Sequence, residues 1–167
     1  MADGSSFAQV STAIVTALLA RTGLNGVTVS EDPPRTPADI MSSTTGLYDA
    51  VHVGTDIDIT FEPPFLGTPV TLQEEYDLPI VVQVLRFGTD AASQATVNAR
   101  CAALLGEVVG CLCLDPVVGM TATSTLIEFE FLPVSAHKNG SWVGSSGDGH
   151  GCSVELMVRC NARLKVT

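Results

Sequence analysis

At 167 residues and a formal net charge of −10, the chain is long enough to bury one real core and too acidic to offer a basic nucleic-acid-binding surface. Hydrophobic residues make up 46% and charged residues 16%, with a mean hydropathy of +0.33, which points to surface that a partner, most simply another copy, covers. The acid is uneven: ten carboxylates between Glu31 and Asp77 stand against one base, Arg35, a formal −9 in that segment.

Ser6 with Gln9 forms a capping-box pattern, in which the Ser side chain bonds a free backbone N–H and Gln reaches back. After it, Phe7, Val10, Ile14, Ala17, Leu18 and Arg21 follow helical spacing up to Gly23, predicting a helix over 6–22. Residues 27–30 read as a short β-branched strand. The prolines of 31–37 then block helix and ladder alike, so 31–48 is expected to be an excursion with little regular structure. Residues 49–53 and 56–61 alternate as strands, with Gly54 and Thr55 as a tight turn or bulge. Residues 62–78 read as a long loop that carries Phe65, Leu66 and Tyr76 among its acids, a contact loop for a neighbouring subunit or one whose rings tuck under the domain.

Residues 79–87 are apolar on nearly both faces and predict the central strand. A second helix is expected over about 91–113, capped by Asp90, with Ala95, Ala99, Ala102, Leu105, Val109 and Leu112 as its buried stripe. The next strand covers 125–134, with Pro133 suggesting an edge. A glycine-rich connection carrying Trp142 follows over 136–151. The last strand, 152–166, alternates cleanly: Val154, Leu156, Val158, Cys160, Ala162 and Leu164 on one face, and Glu155, Met157, Arg159, Asn161, Arg163 and Lys165 on the other. Such a strand spans on the order of 45 Å and either overruns a small domain or bends at a bulge, reaching beyond its own core in both cases. Glu128 and Glu130 are expected to face Arg159 and Arg163 across an antiparallel pair. The sum is a single α+β domain over 1–167: a mostly antiparallel sheet of about five strands with two helices packed on one face, and loop excursions at 31–48, 62–78 and 136–151.

Chemistry-bearing constellations are sparse. The five cysteines read as reduced, small core residues; Cys111-Leu-Cys113 lacks the two-residue spacing of zinc or thioredoxin-like motifs, and His150-Gly-Cys152 is the only close His/Cys pair. His52 alternates with Val51 and Val53, which predicts a surface histidine on a strand. Asp56 and Asp58 share a strand face without a group nearby to shift a pKa. The glycines of 144–151 lack a P-loop lysine and lead into a strand rather than a helix. No catalytic residue, metal or cofactor is expected, and an enzyme or ligand module built on His150 and Cys152 is the remaining chemical alternative. No basic leader precedes the first helix and no apolar run approaches about 18 residues, so neither a secretory signal nor a membrane span is expected.

The layout of capped first helix, apolar central strand, second helix and final long strand pair resembles the tail terminator proteins of long-tailed, siphovirus-type bacteriophages. The ending Val-Glu-Leu-Met-Val-Arg-Cys-Asn-Ala-Arg-Leu after a glycine-rich loop is the most similar part, and residues 31–48 and 62–78 lie outside the match. The resemblance implies a structural protein, not an enzyme: a homohexameric ring at the head-proximal end of the virion's tail, assembled in the bacterial host cytoplasm. Its implied partners are its own copies, the tail tube protein and a head-completion or connector protein. DNA would pass through without specific binding, and no membrane is involved. Neighbouring neck and tail proteins, a head-tail connector or the tube subunit among them, share this layout and are the alternative. Phe65, Leu66, Tyr76, Trp142, Glu128, Glu130, Arg159 and Arg163 are the candidate subunit or partner contacts.

Overall fold

The computed structural model describes residues 6–43, 46–54, 57–62, 71–87, 92–120, 126–143 and 149–165. The elements run α1 (Phe7–Leu19), a single 3-10 turn (Thr22–Leu24), β1 (Thr28–Ser30), α2 (Pro37–Ser43), β2 (Leu47–Val53), β3 (Ile59–Phe61), β4 (Thr71–Phe87), α3 (Gln94–Leu114), β5 (Leu126–Val143) and β6 (Gly149–Lys165). This is the α+β arrangement expected, with six strands among the described residues. The sheet order is β1-β2-β4-β6-β5, and β3 lies beside β4. Only β1 and β2 run parallel; the other neighbours are antiparallel.

β4 and β6 organise the sheet. Residue by residue, Thr71 pairs with Lys165 and Phe87 with Gly149, so the two strands are matched along their whole length. The even-numbered residues of both point to one face, where Leu78, Ile80, Val82, Val84, Leu156, Val158, Cys160, Ala162 and Leu164 are buried. α1 and α3 cover that face. α1 contributes Val10, Ile14 and Leu18, and α3 contributes Val97, Cys101, Leu104, Val108, Cys111 and Leu112. Each large aliphatic side chain removed from water stabilises the core by roughly 1.5–3 kcal/mol, which is why these two helices dock where they do.

Several expectations are corrected here. The buried stripe of α3 includes Leu112 as expected, with Leu105 and Val109 partly buried beside it, but over the rest of the helix it is turned by one residue, about 100°, from the expected alanine face. Ala95, Ala99 and Ala102 are exposed, because the larger Val97, Leu104 and Val108 bury more apolar area. Ser93, not Asp90, caps the helix, its hydroxyl accepting from the Thr96 N–H at 3.3 Å; Asp90 lies outside the described residues. By length and composition α3 would pass for a membrane span, contrary to the reading of the apolar runs, yet its buried stripe faces the sheet.

The stretch 62–78 is not all loop. Residues 71–78 are the first half of β4, and residues 63–70, with Phe65 and Leu66, lie outside the described residues. The strand expected over 79–87 begins at Thr71 and runs through Pro79, whose backbone carbonyl accepts from the Gly54 N–H at 2.8 Å. β2 and β3 do not form a hairpin with each other. They follow one another along the same edge of β4, and Gly54, at φ +73°, makes the offset between them. The excursion after β1 holds a helix, α2, which lies on the opposite face of the sheet, where Ile40 packs with Leu85 and Phe87. The glycine-rich connection is shorter than expected, since β5 continues to Val143 and β6 starts at Gly149.

Candidate protein–protein interface

Polar groups inside the protomer come first, because they separate structural roles from surface ones. The expected capping box does not form: Ser6 makes no side-chain cap bond within α1. Instead its backbone N–H donates to Glu74 Oε2 at 2.8 Å, and its hydroxyl is 3.1 Å from the Tyr76 hydroxyl. Glu74 is 0% exposed, a carboxylate held against the positive end of the α1 dipole by a strand 68 residues away. Tyr76, 2% exposed, belongs to the main core rather than to the protomer surface where it was placed as a contact. Burial pushes its phenol well above the usual value.

His52 is also corrected. It is 2% exposed, not a surface residue, because the excursion folds across it. Its Nδ1 lies 2.8 Å from the Asp32 carbonyl and its Nε2 3.2 Å from the Tyr48 hydroxyl. The neutral ring with a proton on Nδ1 satisfies both, donating to Asp32 and accepting from Tyr48. Burial lowers the His52 pKa, opposed by the hydrogen bond to the Asp32 carbonyl and the Asp32 charge. Gln83 ties the same segment down, accepting from the Arg35 N–H at 3.2 Å and donating to the Arg35 carbonyl at 3.1 Å.

The candidate contact residues that remain lie on the sheet's open edge and on its face away from α1 and α3. β5 is the edge strand, as Pro133 suggested, and its partner β6 is the strand expected. Glu128 stands opposite Arg163, in the expected register. Glu130 stands opposite Asn161 and Leu132 opposite Arg159, because the two strands step residue for residue from Glu128 to Pro133, so an antiparallel pair that sets Glu128 against Arg163 cannot also set Glu130 against Arg159. Arg159 turns the other way, to β4. Its Nε and Nη2 donate to the two Asp77 carboxylate oxygens at 3.0 and 3.2 Å, with Glu75 at 3.6 Å. The acid–base complementarity read between β5 and β6 is thus carried by β4 for Arg159. Arg163 is exposed on the same face.

Along the edge, residues 132 and 134–139 are exposed, with Leu132 and Val134 each 53% accessible. Trp142 is half-buried on β5, not on a loop, and packs over the second apolar cluster of Ile40, Leu85 and Phe87. Glycine permits that placement: a Cβ on Gly149 would stand 2.8 Å from the Trp142 ring, and one on Gly151 would stand 2.9 Å from Leu85. Gly149 and Gly151, expected within a glycine-rich connection, serve close packing.

The remaining chemical candidates are not assembled into a site. His150 Nδ1 is 3.3 Å from Gln94 Oε1. Cys152 is buried against Cys101, whose thiol is pushed up to about 12 by burial and by that neighbour. Burial likewise raises Cys160 to about 12, so both thiols are held protonated. Among the described residues no group of three or more His, Cys, Asp or Glu is placed to hold a metal ion. Asp58 is exposed, and Asp56 lies outside the described residues.

No protein-family profile matches the chain, and no curated protein does. Among solved structures the chain is similar to one from the virion of a native gene transfer agent particle, at 21% identity and a TM-score of 0.45, over 98% of this chain and 100% of that one. A likeness at that identity and score defines no family and carries no functional argument.

Proposed function

We propose that this chain is a structural virion protein that closes a tail tube by forming a ring of its own copies, the role of a tail terminator. One observation carries the reading: β5, eighteen residues long, is the open edge of the sheet and leaves Leu132 and Val134 half exposed along it. An edge strand of that length is a template for addition of another chain, and natural monomers keep such edges short or covered. The layout of the sequence supports the same reading, as does the uncharged outer side of α3 at Ala95, Ala99, Ala102 and Ala103. The implied ring is hexameric, with tail tube and head-completion proteins on its two sides and DNA passing through its centre.

Native mass spectrometry of the protein alone and mixed with tail tubes tests this. A hexamer, or tubes capped at one end in negative-stain images, is the expected result. A protein that stays monomeric at every concentration and never caps a tube overturns it, and one that polymerises into long tubes is a tube subunit instead.

A further inference from the structure

The face of the sheet away from α1 and α3 carries a groove. Its floor is β4 from Leu85 down to Pro79 and β6 from Gly151 to Met157. One wall is the segment 31–43 with α2, and the other is the end of β5. At one end is an apolar cavity of about 190 Å³ between Trp142, Ile40 and Leu85, with Arg35 and Gln83 at its side. At the other is an open cleft of about 500 Å³ lined by Val81, Met157, Asp58 and Glu155. The two share Asn139 and Ser153, so they are one continuous depression. It is open because β6 has small residues there. Gly151 and Ser153 form the floor, while Trp142 and Ile40 rise beside them.

The charges decide what fits. Arg159, on the same face, is already held by Asp77 and Glu75, but neither Asp58 nor Glu155 makes an ion pair with a described residue. Of the basic residues around the groove, Lys138 turns to the helix face and reaches Asn98 Oδ1 at 3.3 Å, His137 stands opposite Glu155 on β5, and Arg35 lies at the apolar end, away from Asp58 and Glu155. The apolar end has room for one large aliphatic or aromatic side chain. From Gly151 to Glu155 is four residues of strand, roughly 13 Å. In an extended peptide, side chains four residues apart point to the same side at that same separation.

We propose that this groove is a docking site for an extended segment of a different protein, one that presents an apolar side chain and, four residues along, a lysine or arginine. The apolar side chain fills the cavity against Trp142, and the cation meets Asp58 and Glu155. Anchor pockets walled by tryptophan are where the energy of such contacts concentrates, and the charge pair sets direction along the groove. The site does not depend on ring formation, which is read by mass.

Trp142 is the single tryptophan of the chain, so its emission reports the groove directly. The probe is a five-residue blocked peptide with leucine first, lysine fifth and threonine between, titrated against the full chain. The expected result is a saturable blue shift. Binding should be at least ten-fold weaker with glutamate in place of the lysine, and weaker by a similar factor when Asp58→Lys and Glu155→Lys are combined. Both carboxylates lie outside the core, and circular dichroism checks that the double variant is folded. Raising the salt from 50 to 500 mM should weaken binding of the lysine peptide to the unaltered protein. The proposal is overturned by no saturable shift up to the solubility of the peptide, or by equal binding of the lysine and glutamate peptides. It is also overturned by a blue shift that grows with protein concentration in the absence of peptide, which would mean that a second copy covers the groove.

Discussion

Two buried polar side chains, Glu74 and His52, tie distant parts of the chain together, and both have measurable consequences. Glu74 accepts the Ser6 N–H at the start of α1 from the interior of β4. Glu74→Ala leaves that donor buried without its acceptor, and the expected loss is about 2–3 kcal/mol in chemical denaturation. His52 is held neutral. Because burial lowers its pKa in the folded state, unfolded chains bind the extra proton as pH falls below about 6.5. Its contribution to stability is therefore complete above that value and is lost as pH drops through the folded pKa. The denaturation midpoint should fall between pH 7.5 and pH 5, and His52→Gln should fall less over the same range, since the amide can still reach Asp32 and Tyr48 but does not titrate. The cysteines give a third check. Cys113 is exposed whereas the other four are buried. One thiol of the native protein should react rapidly with a disulfide reagent, and Cys113→Ser should abolish that phase while leaving the total count in denaturant lower by one.

α3 shows how an element answers to its surroundings rather than to its own pattern. Two rows of small and large residues run along it, and the row that buries more area faces the sheet. The other row is left with Ala95, Ala99, Ala102 and Gly106 in solvent. A Cβ on Gly106 would meet nothing within 4 Å, so Gly106→Ala should stabilise the isolated protomer by about 0.5–1 kcal/mol through helix propensity alone. Ser93→Ala should cost about 1 kcal/mol through loss of the cap. Thermal or denaturant unfolding of the two variants separates these opposite signs on a single helix.

The whole molecule is a long antiparallel ribbon, β4-β6-β5, with helices on one face and a strap with a short helix across part of the other. Its open edge is the basis of the ring proposal. Leu132→Lys combined with Val134→Lys should change protomer stability by no more than about 0.5 kcal/mol, as exposed positions do, while reducing the assembled mass to that of the protomer. Unchanged assembly in that variant would move the subunit contact away from β5.

Alternation was enough to identify β6 and its two faces, because a strand with one buried side must carry a period of two whatever its neighbours are, and a run apolar on nearly both faces was enough to identify the centre of β4. The helix of α1 and the edge position of β5 followed from equally local causes, apolar periodicity and a proline, and the α+β class followed from the order of the elements. What lay beyond local pattern was decided by pairing. Residues 71–78 look like a loop by their acids, yet they are strand because β6 is long enough to hydrogen-bond all of them. His52 looks exposed by alternation, yet the strap of residues 31–43 returns over it. Glu74 looks like one more solvated carboxylate until α1 sets its first N–H against it. Each of these depends on a partner tens of residues away, and burial and hydrogen bonding between such partners exist only once the chain has closed on itself.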